Sequence, residues 1–306
     1  MKNFRKENRI FSKKITMILF AISTLCISAS AQMRTKVSNE FSIFGGCAYS
    51  FTYYQQALRS VHGISSKGFN ADLGASFTAF AGNHVGFHIG FGFGMYQVNA
   101  LVDSFTFVSP DYDVAPNQFG ADQPYDLYTT LSNYKEKHTI YFLTIPLMLQ
   151  FQTMPKSAHK SGIKKCFFAM AGVNLNFLIK KQCEMEIQEL KNMAYFTQLD
   201  NWATTQIFAG LGRFKGNTSN IRYNNFMPVF SFETGVKWCL SNKINLYTGA
   251  FFDCGLNDPT KKYRTPVNNY TSVENLANIT LIDFYDSSFL MSVGIKLRLS
   301  FIIRAK

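Results

Sequence analysis

The sequence predicts an all-β fold, an eight-stranded antiparallel up-and-down barrel that crosses a membrane with its strands. Three observations predict it. Apolar residues alternate with small or polar residues over eight segments, the connections between these segments alternate between long and short, and an export signal precedes them. The 306 residues are 47% hydrophobic and only 16% charged, a composition that excludes a disordered chain.

The N-terminus has the three parts of a secretory signal. Residues 1–14 carry six basic residues against the single acid Glu7, residues 15–27 are apolar, and Ala29-Ser30-Ala31 supplies small residues for cleavage. Thirteen apolar residues are too few for a spanning helix. We therefore expect a cleaved signal peptide at 1–31 and an exported barrel domain at 32–306, and the net charge of +12 falls to +7 once the signal is removed.

The period-two pattern is clearest over residues 85–97, where the odd positions from 85 to 95 are apolar and the even positions are mostly glycine. The last segment, 284–302, alternates in the same way. A soluble sandwich would bury such an apolar face under a second sheet, whereas a membrane barrel exposes it to lipid. The same test predicts eight strands, at 41–54, 69–80, 85–97, 138–152, 166–179, 226–240, 244–253 and 284–302.

The connections favour the membrane barrel over the alternative, a secreted β-sandwich. They alternate strictly between long and short, at 55–68, 82–84, 103–137, 153–165, 180–225, 241–243 and 254–283. Outer-membrane barrels place short turns in the periplasm and long loops outside the cell. Aromatic residues near the predicted strand ends fit two interfacial girdles; they are Tyr53, Tyr141 and Tyr285 toward the loops and Trp238 and Phe151 toward the turns.

Three segments resemble the PorT-like outer-membrane β-barrel proteins of the Bacteroidetes. They are Phe41-Ser42-Ile43-Phe44-Gly45-Gly46, Thr144-Ile145-Pro146-Leu147-Met148-Leu149-Gln150-Phe151 and Phe168-Ala169-Met170-Ala171-Gly172-Val173-Asn174-Leu175. The resemblance implies a Gram-negative source, an eight-stranded barrel and, in the branch that gives the family its name, an accessory role in protein secretion across the outer membrane. The alternating end of the chain resembles the signal that the barrel-assembly machinery reads during biogenesis.

No catalytic residue, metal site or cofactor is predicted. The sequence His159-Lys160-Ser161 has the His-x-Ser order of lipid A deacylases, but it lies in a predicted periplasmic turn without an acid nearby. Histidine and cysteine do not occur at metal-binding spacing, and we interpret Asp111 and Asp113 as part of a solvated acidic loop.

The predicted lumen contains charged side chains. Inward positions place Glu233 and Lys296 at similar depth, two strands apart. Because an eight-stranded barrel is just wide enough to be filled by side chains, and buried charges must be paired, we expect a structural network and no ion gate. Its members are Asp72, Glu233, Lys237, Lys296 and Arg298.

The basic charge is concentrated at the predicted periplasmic rim, at Lys156, Lys160, Lys164, Lys165 and Lys243. Such a rim attracts anionic lipid head groups or docks an acidic periplasmic protein. Near it, Cys166 and Cys239 are predicted to face inward on adjacent strands, as a disulfide or as two free thiols.

We therefore expect an integral outer-membrane barrel that is not an enzyme and that has a structural or partner-binding role. Its expected partners are outer-membrane lipids, the assembly machinery and a periplasmic or secretion-system protein, with no nucleic acid. Long outer loops would bind partners, one of them with a short helix over 184–199. A small diffusion channel and a lipid A-modifying enzyme are the alternatives.

Overall fold

The computed structural model describes residues 38–56, 61–62, 65–116, 122–154, 164–203, 214–217, 223–260 and 285–304. Within these ranges the chain forms eleven strands. They are β1 (Ser38–Gln56), β2 (Val61–His62), β3 (Ser65–Ala81), β4 (Val85–Pro116), β5 (Asp122–Gln152), β6 (Lys164–Phe196), β7 (Asn201–Ala203), β8 (Phe214–Asn217), β9 (Phe226–Cys239), β10 (Ile244–Gly255) and β11 (Tyr285–Arg304).

Eight of these strands form a closed antiparallel ring. The hydrogen-bonded order is β4-β3-β1-β11-β10-β9-β6-β5, and β5 pairs with β4 to close it. The first and last strands pair along their whole lengths, from Ser38 opposite Arg304 to Gln56 opposite Tyr285. The short strands β2, β7 and β8 extend the sheet outside the ring, on β4 and β6. The structure confirms the predicted eight-stranded up-and-down barrel.

The outer face of the ring is an apolar belt. On β4 the outward residues are apolar from Val85 to Met95, and at 97 and 99 they become Gln and Asn. These 11 residues match the ~9–11 that a tilted strand needs to cross a bilayer. Leu73, Ile295 and Leu297 are each more than half exposed in the middle of the belt. This belt defines the membrane-spanning segments.

The inner face packs aromatic rings against glycines. Phe80 is 1% exposed and lies where a side chain at Gly86 would be, 2.9 Å from an ideal Cβ. Phe44 in the same way occupies the space beside Gly74 and Gly92. The nearly bare face of β4 therefore exists because rings from neighbouring strands fill the lumen there.

Three strands continue far beyond the belt on the side opposite the chain ends. The prediction ended the third strand at 97 and began the fourth at 138, but β4 and β5 pair as far as Pro116 and Asp122. The structure also corrects the predicted helix at 184–199, because β6 runs to Phe196 and pairs with β5 there.

Two irregularities explain why the pattern hid these extensions. A β-bulge at Ile179, where Tyr141 pairs with Lys180 and Phe142 with Leu178, shifts the inward face of β6 by one residue. Asn133 has a φ of 50°, and along β5 the buried positions change there from odd to even numbers. A strict period-two pattern breaks at each point although the strands continue.

Among the described residues, no helix is long and apolar enough to cross a membrane. The predicted signal peptide, residues 1–31, lies outside the described residues.

We expect Ile295→Arg to destabilise the barrel by ~2–4 kcal/mol in a lipid bilayer, because Ile295 faces outward in the middle of the belt and an arginine there must enter hydrocarbon. Gln97→Arg, above the belt, is the control and should cost at most about 1 kcal/mol. Urea unfolding in liposomes measures both. Equal costs for the two variants would contradict the membrane position of the belt.

Candidate functional site

The end of the lumen nearest Ser38 and Arg304, which the sequence predicts to face the periplasm, is closed by a cluster around Glu40. Its Oε1 accepts hydrogen bonds from Lys237 Nζ at 2.7 Å and from Asn245 Nδ2 at 3.0 Å, and its Oε2 accepts one from Tyr247 at 2.7 Å. Lys237 also donates to Gln152 at 3.0 Å. The carboxylate and the ammonium are both buried, and these hydrogen bonds satisfy the buried pair.

Glu40 was missing from the predicted network. The predicted first strand began at residue 41, which left Glu40 in the periplasm, whereas β1 begins at Ser38 and directs Glu40 inward. The prediction placed Lys237 in the lumen, and the structure supplies its acidic partner from a strand across the barrel.

Arg298 occupies the next level of the lumen. It is 2% exposed and lies 3.7 Å from Glu233 Oε1. Its Nη1 lies 3.1 Å from Nδ1 of His88, and its guanidinium stacks over Tyr247 at 4.3 Å from the ring centroid. The guanidinium lies between an acid and an aromatic ring and leaves no open path at this level, although its Nε and Nη2 make no hydrogen bond.

A third ion pair lies above it, where Lys296 Nζ is 3.0 Å from Asp72 Oδ2. The Lys296 ammonium also contacts the rings of Phe251 and Phe44, at 4.6 and 5.3 Å. A cavity of about 60 Å³ lies beside this pair, also lined by Asp253, and has room for a few water molecules.

The five predicted lumen residues therefore all line the barrel interior, but they form separate pairs. Glu233 contacts Arg298, whereas the sequence placed it level with Lys296; Lys296 binds Asp72 instead. Counting residues from the strand ends ignores the tilt of the strands around a barrel, which shifts the level of a side chain from one strand to the next.

The structure describes three of the five lysines of the predicted periplasmic rim. Lys164, Lys165 and Lys243 are exposed at the ends of β6 and β10, and Lys165 lies 4.5 Å from the centre of the Trp238 ring. Lys156 and Lys160 lie outside the described residues. Charge and aromatic surface thus lie together at this edge of the belt, as expected at a head-group boundary.

The sequence predicted Cys166 and Cys239 as either a disulfide or two free thiols, and in the structure both are free thiols. Cys166 pairs with Lys237 and Cys239 pairs with Lys164, so the two cysteines are diagonal neighbours and not directly opposite. The two side chains nevertheless reach each other, because the Cys166 thiol lies within hydrogen-bond contact of Cys239.

A second polar cluster lies inside the barrel just above the belt, and sequence analysis did not find it. Glu136 and His138 lie on β5 and Cys183 lies opposite His138 on β6, all at most 4% exposed. His138 Nε2 is 2.6 Å from Glu136 Oε1, and Cys183 Sγ donates to the same oxygen at 3.7 Å. The signal was the Glu-x-His spacing, which puts both side chains on one face of a strand.

Two tyrosines surround this cluster. Tyr134 donates to Glu136 Oε2 at 2.8 Å, and the Tyr223 hydroxyl contacts His138 Nδ1. Burial, reinforced by Glu136, raises the pKa of Tyr134 and that of the Cys183 thiol well above their usual ranges. Cys183 is therefore a protonated thiol, and Glu136 lies between it and the imidazole, so the three residues are not arranged as a nucleophile with its base.

The extensions of β4, β5 and β6 carry an aromatic cluster at their far end. Trp202 on β7 lies 4.6 Å from Tyr128 and 4.7 Å from Tyr195, measured between ring centroids. The Tyr195 hydroxyl donates to Asp200 at 2.7 Å, a hydrogen bond that raises the pKa of Tyr195 and ties the turn between β6 and β7. Trp202 is 46% exposed, so this cluster presents aromatic surface to solvent.

No protein-family model and no curated protein matches the sequence. Among solved structures the chain is similar to the outer membrane protein OprG from Pseudomonas aeruginosa, with 10% identity, 90% of this chain and 100% of that chain covered, and a TM-score of 0.34. It is also similar to Neisserial surface protein A, with 10% identity, 84% of this chain and 95% of that chain covered, and a TM-score of 0.25. It is similar too to Ail, the attachment invasion locus protein of Yersinia pestis, with 8% identity, 87% of this chain and 99% of that chain covered, and a TM-score of 0.23. These likenesses are too distant to assign a role, and the barrel rests on this chain's own strand pairing.

We expect Glu40→Gln to cost about 3 kcal/mol, because it leaves the Lys237 ammonium buried without its counter-charge. The double variant Glu40→Gln, Lys237→Met is the matched control. It removes both charges and should recover most of that loss. The urea midpoint of the folded barrel in detergent measures the effect, and a Glu40→Gln barrel as stable as the wild type would show that water reaches the cluster.

Proposed function

We propose that the protein is a non-enzymatic, non-conducting outer-membrane barrel that holds a rigid β-sheet outside the cell for binding a partner. One observation carries the proposal. The strands β4, β5 and β6 continue for about 16–21 residues beyond the apolar belt as paired sheet. At ~3.3 Å per residue this is ~60 Å of strand, far more than spanning the bilayer requires.

The lumen supports the non-conducting part of the proposal. Glu40 with Lys237, Glu233 with Arg298 and Asp72 with Lys296 occupy three successive levels, and rings such as Phe80 and Phe168, each at most 1% exposed, fill the space between them. An eight-stranded barrel has no room for a water-filled channel beside such packing.

The extension supports the binding part. Its sheet buries Tyr125, Leu127 and Phe196 on one face and exposes the cluster of Tyr128, Tyr195 and Trp202 on the other. Tyrosine and tryptophan bring large contact area at low entropic cost and are enriched at protein interfaces. The extension holds these rings on a paired sheet, which reduces the entropy lost on binding.

The cellular setting is part of the proposal. The predicted signal peptide at 1–31 delivers the barrel domain, 32–306, to the periplasm, and the assembly machinery inserts it into the outer membrane of a Gram-negative cell. Outer-membrane lipids cover the apolar belt, and the exposed Lys164, Lys165 and Lys243 favour contact with anionic head groups.

A second candidate function is the accessory role in protein secretion that the PorT-like resemblance implies. The basic periplasmic rim favours it, because exposed lysines at the ends of β6 and β10 form a docking edge for an acidic periplasmic protein. The two functions use opposite ends of the barrel, so they are separable by experiment.

The lipid A-modifying enzyme has no structural support, since His159 and Ser161 lie outside the described residues.

In planar bilayers we expect the purified wild-type barrel to give no stepwise ion conductance, because the three ion pairs and the aromatic rings fill the lumen. A water-filled porin in the same chamber is the positive control. Steady conductance that changes in the Glu233→Ala variant would assign current to this lumen and contradict the proposal.

We expect a photo-crosslinking residue at Gln198, exposed beside the aromatic cluster, to form an adduct on intact cells. Trp202→Ala should remove the adduct, because Trp202 contributes the exposed ring of the cluster. The matched control is Trp238→Ala, which alters the other tryptophan, at the periplasmic end of the belt, and should leave the adduct intact.

The same experiment separates the two candidate functions. A crosslinker at Lys165 that captures a periplasmic protein, with none at Gln198, would favour the secretion role over extracellular binding. If the crosslinker at Lys165 captures only lipid, the rim contacts lipid head groups and does not dock a periplasmic protein.

A further inference from the structure

We propose that Glu136, His138 and Cys183 form a Zn²⁺ site at the extracellular end of the barrel lumen. The three donors are a carboxylate oxygen, an imidazole nitrogen and a sulfur, the set that zinc accepts. They come from adjacent strands, β5 and β6, and the ligand atoms all lie within 4.8 Å of one another. The proposal goes beyond the binding role of the extension and does not depend on it.

The strongest support is the state of His138 Nε2. This atom is buried and 2.6 Å from Glu136 Oε1, yet the two atoms do not have hydrogen-bond geometry. The nitrogen and the oxygen form a close ion pair that is not aligned for a hydrogen bond. A buried ring nitrogen that makes no hydrogen bond is costly, and bonds from both atoms to one cation would remove that cost.

The other ring nitrogen of His138 is held in place for ligation. Its Nδ1 contacts the Tyr223 hydroxyl, and the two rings meet edge to face with an interplanar angle of 82°. When Nδ1–H donates to Tyr223, the lone pair of Nε2 is fixed toward Glu136. Metal-binding histidines are commonly oriented in this way, by a hydrogen bond from the nitrogen that does not bind the metal.

The distances between the ligand atoms suit a zinc ion once one of them opens. Zinc bonds of ~2.0–2.3 Å in tetrahedral geometry place ligand atoms ~3.3–3.8 Å apart. Cys183 Sγ and Glu136 Oε1 are already 3.7 Å apart, and the distance from Nε2 to Oε1 must open by about 1 Å. On binding, the Cys183 thiol proton passes to solvent water and the thiolate bonds to the ion.

Three protein donors leave a fourth position open. A cavity of about 20 Å³, large enough for one water molecule, adjoins His138 and Tyr223 and is also lined by Tyr54, Thr260 and Ser288. Glu136 and Cys183 do not line this cavity, so the fourth ligand of a tetrahedral zinc would be a water that enters with the ion. The sulfur and nitrogen donors disfavour Mg²⁺ and Ca²⁺, which require oxygen ligands.

The test uses the full-length chain without a histidine tag, folded in detergent, treated with chelator and titrated with Zn²⁺ or Co²⁺ alone. We expect one equivalent of Zn²⁺ per chain, and a cobalt–thiolate charge-transfer band in the near ultraviolet when Co²⁺ replaces it. Cys183→Ser should remove the band, and His138→Gln should weaken binding at least tenfold. Tyr223→Phe should weaken zinc binding about 10-fold or more through His138.

Matched controls identify the ligands. Cys254→Ser alters another free cysteine, on β10, and His84→Gln alters an exposed histidine in a tight turn; both should bind like the wild type. Gel mobility of unheated samples checks that each variant is folded.

A measurement on the wild type alone keeps the proposal testable if the variants misfold. X-ray absorption of the zinc-loaded chain should show one sulfur neighbour at ~2.3 Å and nitrogen or oxygen neighbours at ~2.0–2.2 Å. A zinc environment without sulfur, the absence of stoichiometric binding, or a cobalt band that survives in Cys183→Ser would each overturn the site.

Discussion

The pairing of β1 with β11 is the constraint on which the rest of the structure depends. In hydrocarbon every backbone N–H and C=O must be satisfied within the protein, so a sheet that crosses the bilayer has to close on itself. Ser38–Gln56 and Tyr285–Arg304 pair along their whole lengths and close a ring of only eight strands. The narrow ring fixes the size of the lumen, and the size of the lumen determines what it can contain.

Charges inside so narrow a barrel are removed from bulk water, and each acid then needs a base within contact distance. The three ion pairs meet this requirement at three levels, with aromatic rings over the cations. The polar side chains of the lumen fix its packing. The proposed function therefore uses the ends of the barrel, which differ from each other.

The two ends of the barrel differ because three strands continue beyond the belt at the end far from Ser38 and Arg304, while the others stop near it. The bulge at Ile179 and the left-handed Asn133 change which residues face inward, and the cluster of Glu136, His138 and Cys183 lies between these two points. A metal ion there would join β5 to β6 where the extension leaves the barrel. The proposed site would thus stabilise the base of the surface on which the aromatic cluster is presented.

The sequence by itself determined the barrel, its strand number and the inward position of Asp72, Glu233, Lys237, Lys296 and Arg298. Period-two alternation and connection length are local properties, and lipid on one side of the sheet enforces them residue by residue. Only the tertiary structure decided which charges meet, that Glu40 joins Lys237, and that Glu136 and His138 meet Cys183. Those contacts depend on strand tilt, register and bulges, which are set by the closure of the whole ring and which no local pattern encodes.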